Sequence, residues 1–566
     1  MHATIIAPLP QKLTMSFLLL LAFLSSLLLL LYTIMTIRKM KKKKSPSSTI
    51  PNWPLFGMLP SLLWNLPRLH EFVTDILKLN GGTFVFKGPS FTNLNFILTS
   101  DPINVHHIVT NNFSNYPKGP ELKAIMAPFG DVLFNSDGDS WKTKKEIVLS
   151  LIKTAGFERL LMTTLRYKLA DSLIPVLDHA AARNHHDDVV LDLQDVMKRF
   201  MFDLTCLLFL GIDPECLSTS FPRVPCAEAF DVLEEAIVYR HCVPKWVWKL
   251  QRWFHVGWEG RTIEAEECLN GFVEERIRVK MVEKQGKESS VNDDDDDDDN
   301  YDFLMKLIVE TERLTGTCYS SKFVRDIVVS SMVAGRDTIA VALSWFFWLV
   351  ATNPGVEDKI LEELDRVVIT QTGEKEVIFS STEELNKMVY LHGAINETLR
   401  LYPSVPYEPK QSLKDDVLPS GHIVGRNARV LVSIYSMGRM EDVWGKDWME
   451  FRPERWVAAR FEGNDICNND NKKINIIHVP SYKFAAFMAG PRSCSGRKIA
   501  YTQMKTIISC VLRMYKIDVV GDHPVVPLPS IMMFMRHGLK VRISSRTPVS
   551  TTTNVVNSIL PVDSVE

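Results

Sequence analysis

The stretch FMAGPRSCSG near the carboxyl end constrains the chain most, because it presents a single cysteine, Cys494, in a short loop. Gly490 and Gly496 flank the thiol, and they let the backbone turn tightly and approach a flat group closely. Arg492 brings a permanent positive charge near the sulfur, where it favours the thiolate and can pair with an anion. Residues 497–514 have the pattern of an amphipathic helix, whose first amides would stabilise negative charge on the cysteine. The loop therefore predicts a reactive cysteine.

A second chemical segment interrupts a long apolar helix predicted over residues 321–351. Such a helix is buried in a soluble domain, yet it contains the sequence Ala-Gly-Arg-Asp-Thr in its middle. Gly335 would allow a flat cofactor or dioxygen to approach the backbone, and Asp337 with Thr338 would relay protons. The alternative is structural, with the Thr338 hydroxyl bonded to a carbonyl one turn earlier.

Two further segments carry charged residues at helical or fixed spacing. Trp141 and Lys145 are four residues apart at the start of a predicted helix, which places them on one face. Glu397 and Arg400 lie one turn apart on another helix, and Arg455 follows in the sequence FRPERW.

Together, and in this order, these segments resemble cytochrome P450 enzymes. The resemblance implies haem b as cofactor, bound in the loop that contains Phe487, with Cys494 as the axial thiolate ligand of the iron. It implies that Asp337 and Thr338 form the oxygen-activation pair, and that Glu397, Arg400 and Arg455 form a buried charge network. The residues assigned to cofactor binding are Cys494, Arg492, Phe487, Gly490, Gly496, Trp141, Lys145 and Lys410. Lys145 and Lys410 stand where many members have arginine, so each supplies a charge without a bidentate fork.

The resemblance also implies a fold and partners. The fold is mainly α with small β-sheets, and the strand-like runs at residues 83–86 and 95–99 would begin a sheet. The chain contains no Gly-rich nucleotide loop, so electrons would come from a separate NADPH-cytochrome P450 reductase. The substrates would be O2 and a small hydrophobic molecule. A formal net charge of −2 gives no indication of a nucleic-acid partner.

The first part of the chain predicts a membrane anchor. Residues 13–37 carry no charge and are long enough, as a helix, to cross a bilayer core. A cleaved signal has a shorter apolar region, whereas this one ends at the basic sequence RKMKKKK, which predicts an uncleaved single-pass anchor with the rest of the chain in the cytosol. Nine cysteines without paired spacing agree with a reducing compartment. The resemblance adds the endoplasmic reticulum as the membrane.

Domain boundaries follow from composition. Residues 1–50 contain the anchor and a basic, proline-rich linker, residues 51–545 form the haem-thiolate monooxygenase domain, and residues 546–566 form a flexible tail. A proline-broken connector over residues 45–60 would exclude helix and strand. Seven consecutive aspartates, Asp293–Asp299, predict a solvated acidic loop at about 285–300.

The substrate is predicted from a narrower resemblance. The sequences NFSNYPKG, GGTFVFKGP and YKFAAF resemble the plant P450 branch of fatty-acid ω-hydroxylases and midchain alkane hydroxylases. Apolar segments at Met126, Val405 and residues 531–535 would line the pocket, although methionines are also ordinary core filler. The alternatives are phenol coupling or hydroxylation of a specialised metabolite such as an alkaloid, a reductase-independent haem-thiolate isomerase or dehydratase, and an inactive tethered binding protein.

Overall fold

The computed structural model describes residues 50–89, 94–187, 189–288, 301–315, 321–369, 381–461 and 472–546. The predicted anchor at 13–37, the seven aspartates and the tail after Arg546 lie outside these residues. The described chain divides into two compact units. The smaller contains the residues up to Leu66 together with Phe86–Asn95, and the larger contains Pro67–Val85 and everything from Phe96.

Helices dominate the described residues, as predicted. They are α1 Leu59–Trp64, α2 Leu69–Leu79, α3 Pro102–His106, α4 Gly119–Ile125, α5 Gly138–Ile152, α6 Ala155–Lys168, α7 Ile174–Asp187, α8 Leu193–Leu210, α9 Pro225–Cys242, α10 Lys245–Phe254, α11 Gly257–Glu288, α12 Phe303–Thr315, α13 Ser321–Ala351, α14 Pro354–Ile369, α15 Thr382–Lys387, α16 Val389–Leu401, α17 Ile434–Met437, α18 Glu441–Trp444 and α19 Arg497–Met514. Helices α13 and α19 have the predicted bounds.

The strands form small sheets of two to four strands. They are β1 Thr83–Phe86, β2 Phe96–Thr99, β3 Leu191–Asp192, β4 Tyr407–Gln411, β5 Asp416–Val417, β6 Ile423–Val424, β7 Arg429–Ser433, β8 Val457–Phe461, β9 Lys472–Ile476, β10 Tyr515–Val519 and β11 Lys540–Ser545. The largest sheet has the order β1-β2-β7-β4, with β2 parallel and β4 antiparallel to β7. The prediction that residues 83–99 begin a sheet is therefore confirmed.

Helix α13 is the centre of the larger unit. Most of its side chains are buried, and it packs against α8 along much of its length. It is the one helix among the described residues that is long and apolar enough to span a membrane, but 78% of its apolar window is buried in protein. The hydrophobic effect therefore explains its composition, since most of its side chains are buried against other elements.

Two predicted boundaries were wrong by a few residues. Helix α11 continues to Glu288, four residues into the segment predicted as an acidic loop from 285. Charged residues such as Lys280, which pairs with Glu283 one turn on, stabilise an exposed helix end. The connector predicted over residues 45–60 also ends in helix, because α1 begins at Leu59 and its proline lies in the first turn, where no amide hydrogen bond is lost.

Candidate active site

The cysteine loop is closed by its own backbone and packed against a neighbouring segment. The Cys494 amide donates to the Phe487 carbonyl over 2.9 Å, which folds the loop back on itself. Gly490 has a φ of +67°, and a Cβ there would lie 1.9 Å from the carbonyl oxygen of Val109. Glycine is therefore required for this turn and for its packing. A Cβ on Gly496 would meet no atom of the described part of the chain within 4 Å, so that side of the loop is open to it.

The thiol of Cys494 is accessible, although protein surrounds it on most sides. Burial raises the pKa of Cys494, and the amide of Gly496 and the charges of Arg497 and Lys145 act in the opposite direction. Gly496 is the residue immediately before α19, so one backbone amide at the start of this helix acts on the sulfur. Arg492 pairs with an anion as predicted, since its guanidinium binds the Asp137 carboxylate, and its effect on the thiolate stays a prediction.

Arg492, Trp141 and Lys145 form a cluster beside the loop. The Arg492 guanidinium donates to the Ser136 carbonyl over 2.7 Å and to the Asp137 carboxylate over 2.6 Å. It lies 4.6 Å from the centre of the Trp141 ring. Lys145 donates its ammonium to the Pro491 carbonyl inside the loop. Helix α5, which carries Trp141 and Lys145, is therefore joined to the cysteine loop.

Lys410 lies on β4 and forms a buried ion triad. The Glu408 carboxylate is 2.9 Å from the Lys410 ammonium and 2.7 Å from that of Lys118. The pKa of Lys410 is lowered to about 8, mainly by burial and also by the charges of Lys118 and Arg492, while Glu408 opposes the shift. The Lys118 amide donates over 2.9 Å to the Asp137 carboxylate that also binds Arg492, so this triad lies next to the cluster at the loop.

The charges of these two groups fit a ligand that carries two carboxylates. Four cations, Lys118, Lys145, Lys410 and Arg492, face two anions, Asp137 and Glu408. In addition, the buried Nε of Arg492 has no acceptor among the described residues. Buried cations in excess favour binding of an anionic group. The propionates of haem b have this charge and number.

Helix α13 exposes a narrow face in its otherwise buried middle. Ala334 is exposed and Ser331, Gly335 and Thr338 are half-buried, while most of the other residues in this part of the helix are buried. These positions are spaced by three or four residues and share one face. The Thr338 hydroxyl donates to the Ala334 carbonyl, as in the structural alternative, and Ser404 donates to the Thr338 carbonyl over 2.6 Å.

Gly335 has a role in helix packing. A Cβ at this position would lie 2.8 Å from Cγ2 of Thr205 on α8, so the glycine lets two helices approach each other. The approach of a cofactor or dioxygen to its backbone stays a prediction, since Gly335 is also half-buried on the exposed face of α13. Asp337 points into the protein: it is fully buried and its carboxylate is 3.4 Å from the Arg336 guanidinium.

The charge network predicted from the resemblance is confirmed in its geometry. Arg400 pairs with Glu397 through two bonds of 2.8 Å, and both side chains are fully buried. Arg455 lies 3.3 Å from the same carboxylate, and the Trp456 indole donates to it over 2.8 Å. Arg400 also donates to the carbonyls of residues 438, 448 and 450.

The comparisons with known proteins agree with this arrangement. A family model described as "Cytochrome P450" matches residues 46–544. The chain belongs to the cytochrome P450 family. P450 enzymes use haem b, whose iron is held by an axial cysteine thiolate, and they are monooxygenases.

Plant P450s are among the relatives of this chain. It is 37% identical to alkane hydroxylase MAH1 of Arabidopsis thaliana over 88% of its own length and 93% of that protein. It is also 37% identical to cytochrome P450 86B1 of the same species, over 88% of its length and 86% of that protein. It is 36% identical to noroxomaritidine synthase 2 of Narcissus pseudonarcissus over 88% of its own length and 91% of that protein.

The P450 fold brings in residues that sequence patterns did not select. Lys118 and Glu408 complete the ion triad with Lys410, and Asp137 orients Arg492. Lys118 belongs to the sequence NYPKG, which was used only as a branch signature. Glu408 and Asp137 gave no signal, because single acids near turns and strands are common on surfaces.

Proposed function

We propose that this P450 hydroxylates C–H bonds of long-chain aliphatic substrates, fatty acids or alkanes, with O2 and with electrons that NADPH supplies through a reductase. The observation that carries the proposal is the 37% identity to an alkane hydroxylase over nearly the whole of both chains. P450s of this kind generally act on small hydrophobic substrates with a reductase partner. The substrate class is the part that goes beyond the family.

We propose the following roles for the residues of the cysteine loop, of the neighbouring cluster and of α13. Cys494 would supply the thiolate ligand of the iron, and Arg492, Lys145, Lys410 and Trp141 would hold the carboxylates of haem b beside the loop of Phe487, Gly490 and Gly496. Haem, when bound, supplies the oxygen-activating chemistry, to which the thiolate contributes electron density. Thr338 presents a hydroxyl at the exposed face of α13, and Asp337 holds or moves a proton one residue away. The cation excess at the loop supports this assignment.

The apolar side chains of Val405 and Ile531 near Thr338, here called the apolar wall, support an aliphatic substrate. Ser404 bonds to the Thr338 carbonyl and accepts from the Met533 amide over 2.9 Å, which brings two segments to the same part of α13. Val405 and Ile531 are half-buried there, without a polar group on either side chain. The neighbouring methionines, Met532, Met533 and Met535, are buried in the core, so the core-filler alternative applies to them.

An open groove on α5 supports docking of the reductase. The groove has a volume of about 490 Å³ and is lined by Trp141, Lys142, Lys145, Glu146, Leu149, Ser150 and Lys153. Three lysines against one glutamate give it a positive charge. Electrostatic complementarity accelerates protein encounters, and the groove lies on the helix that bonds to the cysteine loop.

We further propose that the chain is a single-pass protein of the endoplasmic reticulum membrane with a cytosolic domain over residues 51–545. The apolar segment at 13–37 lies outside the described residues, so support comes from α10. This helix exposes Trp246 by 70%, Trp253 by 75% and Phe254 by 60%, beside lysines at 245 and 249. Exposed aromatic residues flanked by cations are typical of helices that lie in the membrane interface.

A second candidate is the oxidation or coupling of a specialised metabolite. It is favoured by the noroxomaritidine synthases, whose 36% identity nearly equals that of the alkane hydroxylase. The two candidates differ in the molecule that must fit the apolar wall.

The deciding experiment offers a long-chain fatty acid, a long n-alkane and a methylated phenolic precursor to the full chain in microsomes with a plant reductase and NADPH. Hydroxylated aliphatic product supports the proposal, and its carbon position separates terminal from midchain oxidation. A coupled phenolic product without aliphatic turnover would overturn it.

Cys494→Ala is the blank for this experiment, and Cys242→Ala, at another exposed cysteine, is the matched control. The first variant is expected to lose both product and the absorption band of a thiolate-ligated, carbon monoxide-bound haem. The second is expected to keep both. A retained band in Cys494→Ala would exclude Cys494 as the ligand.

A further inference from the structure

Glu234 on α9 faces Asp337 on α13 in the interior of the protein. Both side chains are buried, with exposures of 5% and 0% for the residues, and their carboxyl groups lie within hydrogen-bonding reach of each other. One oxygen of each group, Oε1 of Glu234 and Oδ1 of Asp337, is buried and accepts no hydrogen bond from the residues that the structure describes. Two ionised carboxylates cannot satisfy each other, because neither carries a hydrogen.

The neighbouring charges also require one more proton. Arg336 lies 2.7 Å from the carboxylate of Asp231 and 3.4 Å from that of Asp337, and Lys198 lies 3.0 Å from Asp231. The charged groups around Glu234 are thus Asp337 and Arg336 from α13, Lys198 from α8 and Asp231 from its own helix. Two cations face three carboxyl groups, and one bound proton makes the cluster neutral. Burial raises the pKa of Glu234, and the carboxylate of Asp337 raises it further.

We propose that Glu234 and Asp337 share one proton, held on Glu234, and that Glu234 is a positioning residue which keeps Asp337 supplied with a proton. We assign the proton to Glu234 because Asp337 has the Arg336 guanidinium 3.4 Å from its carboxylate, whereas no ion pair of Glu234 occurs among the described residues. A single hydrogen between the two carboxyls supplies the missing donor, as in other carboxyl pairs that titrate together. The catalytic part of this inference rests on the proposed proton-transfer role of Asp337.

The proton balance is simple. In each cycle Glu234 donates the shared proton to the Asp337 anion and becomes the anion itself, and Asp337 passes that proton towards the Thr338 face of the helix. Water then returns a proton to Glu234, so that each cycle takes one proton from solvent. Asp231 lies one turn earlier on the same helix with 42% of its side chain exposed, which brings solvent to within one turn of the pair.

Infrared difference spectroscopy of the full-length protein tests the pair without any turnover. At neutral pH the wild type is expected to show the carbonyl stretch of a protonated carboxylic acid, shifted in D2O. Glu234→Gln should remove this band, and Glu234→Asp, which keeps an acid, should retain one. Glu235→Gln, at the exposed neighbouring glutamate, should leave the spectrum unchanged. Identical spectra for the wild type and Glu234→Gln would overturn the proposal.

Thermal unfolding against pH is the second measurement. In the folded state the pKa of Glu234 lies above its unfolded value near 4.5, so the folded protein binds the extra proton over that interval. The wild type should therefore lose stability relative to Glu234→Gln as pH rises from about 4.5 through the raised pKa. A difference in melting temperature that is the same at every pH would indicate a merely structural glutamate and would contradict the shared proton.

Turnover gives the catalytic readout. Glu234→Gln is expected to lower product formed per NADPH by about tenfold, since proton supply is a modest part of general acid catalysis, and Glu234→Asp should recover part of it. Unchanged coupling with the infrared band lost would overturn the supply role. Failure of the substrate proposal can be distinguished from failure of the shared-proton proposal. If the substrate class is wrong, the wild type itself forms no aliphatic product, whereas the infrared and unfolding results do not depend on substrate.

Discussion

At the scale of single residues, Glu408 illustrates how one buried anion can organise a binding site. It is buried on β4 and is the shared partner of Lys118 and Lys410. Burial opposes its ionisation, but the two ammonium groups hold the pKa of Glu408 down, to about 2. The carboxylate therefore remains charged throughout the physiological range, and it fixes both lysines beside the haem loop.

We expect Glu408→Gln to destabilise the protein by about 3–5 kcal/mol, because it leaves two buried cations without their counter-ion. Urea unfolding of the haem-free protein measures this. Asp139→Asn is the matched control, since Asp139 pairs with Lys142 at the surface, where its side chain is 96% exposed, and exposed pairs contribute little.

The same variant has a defined pH dependence. The pKa of Glu408 is depressed in the folded state, so its contribution is present above the unfolded value near 4.5 and is lost as pH falls towards about 2. The stability difference between wild type and Glu408→Gln should therefore shrink over that interval. A constant difference down to pH 2 would show that the ionised carboxylate is not its source.

At the scale of elements, the contact between α8 and α13 depends on a missing side chain. The Thr205 methyl occupies the space beside Gly335, and its hydroxyl donates to the Phe202 carbonyl over 2.9 Å. Gly335→Ala should therefore destabilise the protein by about 1–3 kcal/mol through overpacking, against a helix-propensity gain of about 1 kcal/mol. Calorimetric melting temperatures measure the net effect.

The rescue variant makes this prediction specific. Thr205→Ser removes the methyl group and keeps the hydroxyl, so the double variant should recover most of the lost stability. If the two changes were simply additive, the crowding would lie elsewhere. The prediction also separates a packing glycine from a ligand-binding one, because haem content should follow stability in both variants.

Helix α10 gives a second prediction at this scale. A nitroxide label attached through Trp246→Cys should be protected from water-soluble quenchers when the full chain is in bilayers, since Trp246 and Trp253 belong to the proposed interfacial face. Ile423→Cys, at a residue 77% exposed on β6, is the control and should remain accessible. Equal accessibility at the two sites would exclude α10 from the membrane surface.

At the scale of the whole molecule, the network around Glu397 joins segments that are far apart in the chain. Arg400 binds Glu397 on its own helix and carbonyls at residues 438, 448 and 450, while Arg455 closes the other side. Arg400→Lys should cost about 3–5 kcal/mol, because a lysine cannot replace the fork that serves these acceptors. Haem incorporation and urea unfolding should both decrease, whereas Arg223→Lys, in an exposed pair with Glu228, should change neither.

The predicted and observed structures agree best where a local pattern had one interpretation. Helices α13 and α19 have the predicted bounds, because continuous apolar or amphipathic periodicity over many residues excludes strand and loop. Boundaries at residues 59 and 288 were missed, since helix ends depend on neighbouring side chains and differ by a few residues from any pattern. The partners of charged residues were missed more often, because an ion pair between residues far apart in the chain produces no pattern in the sequence.

The sequence by itself determined the family, the cysteine loop and the identity of the central helix, because each depends on residue types at short, fixed spacing. Only the tertiary structure decided which charges meet. It paired Arg492 with Asp137, gave Lys410 a buried partner in Glu408, and assigned Gly335 to helix packing. It also brought Glu234 to Asp337 from about a hundred residues away along the chain, in a buried site where an uncompensated negative charge is costly.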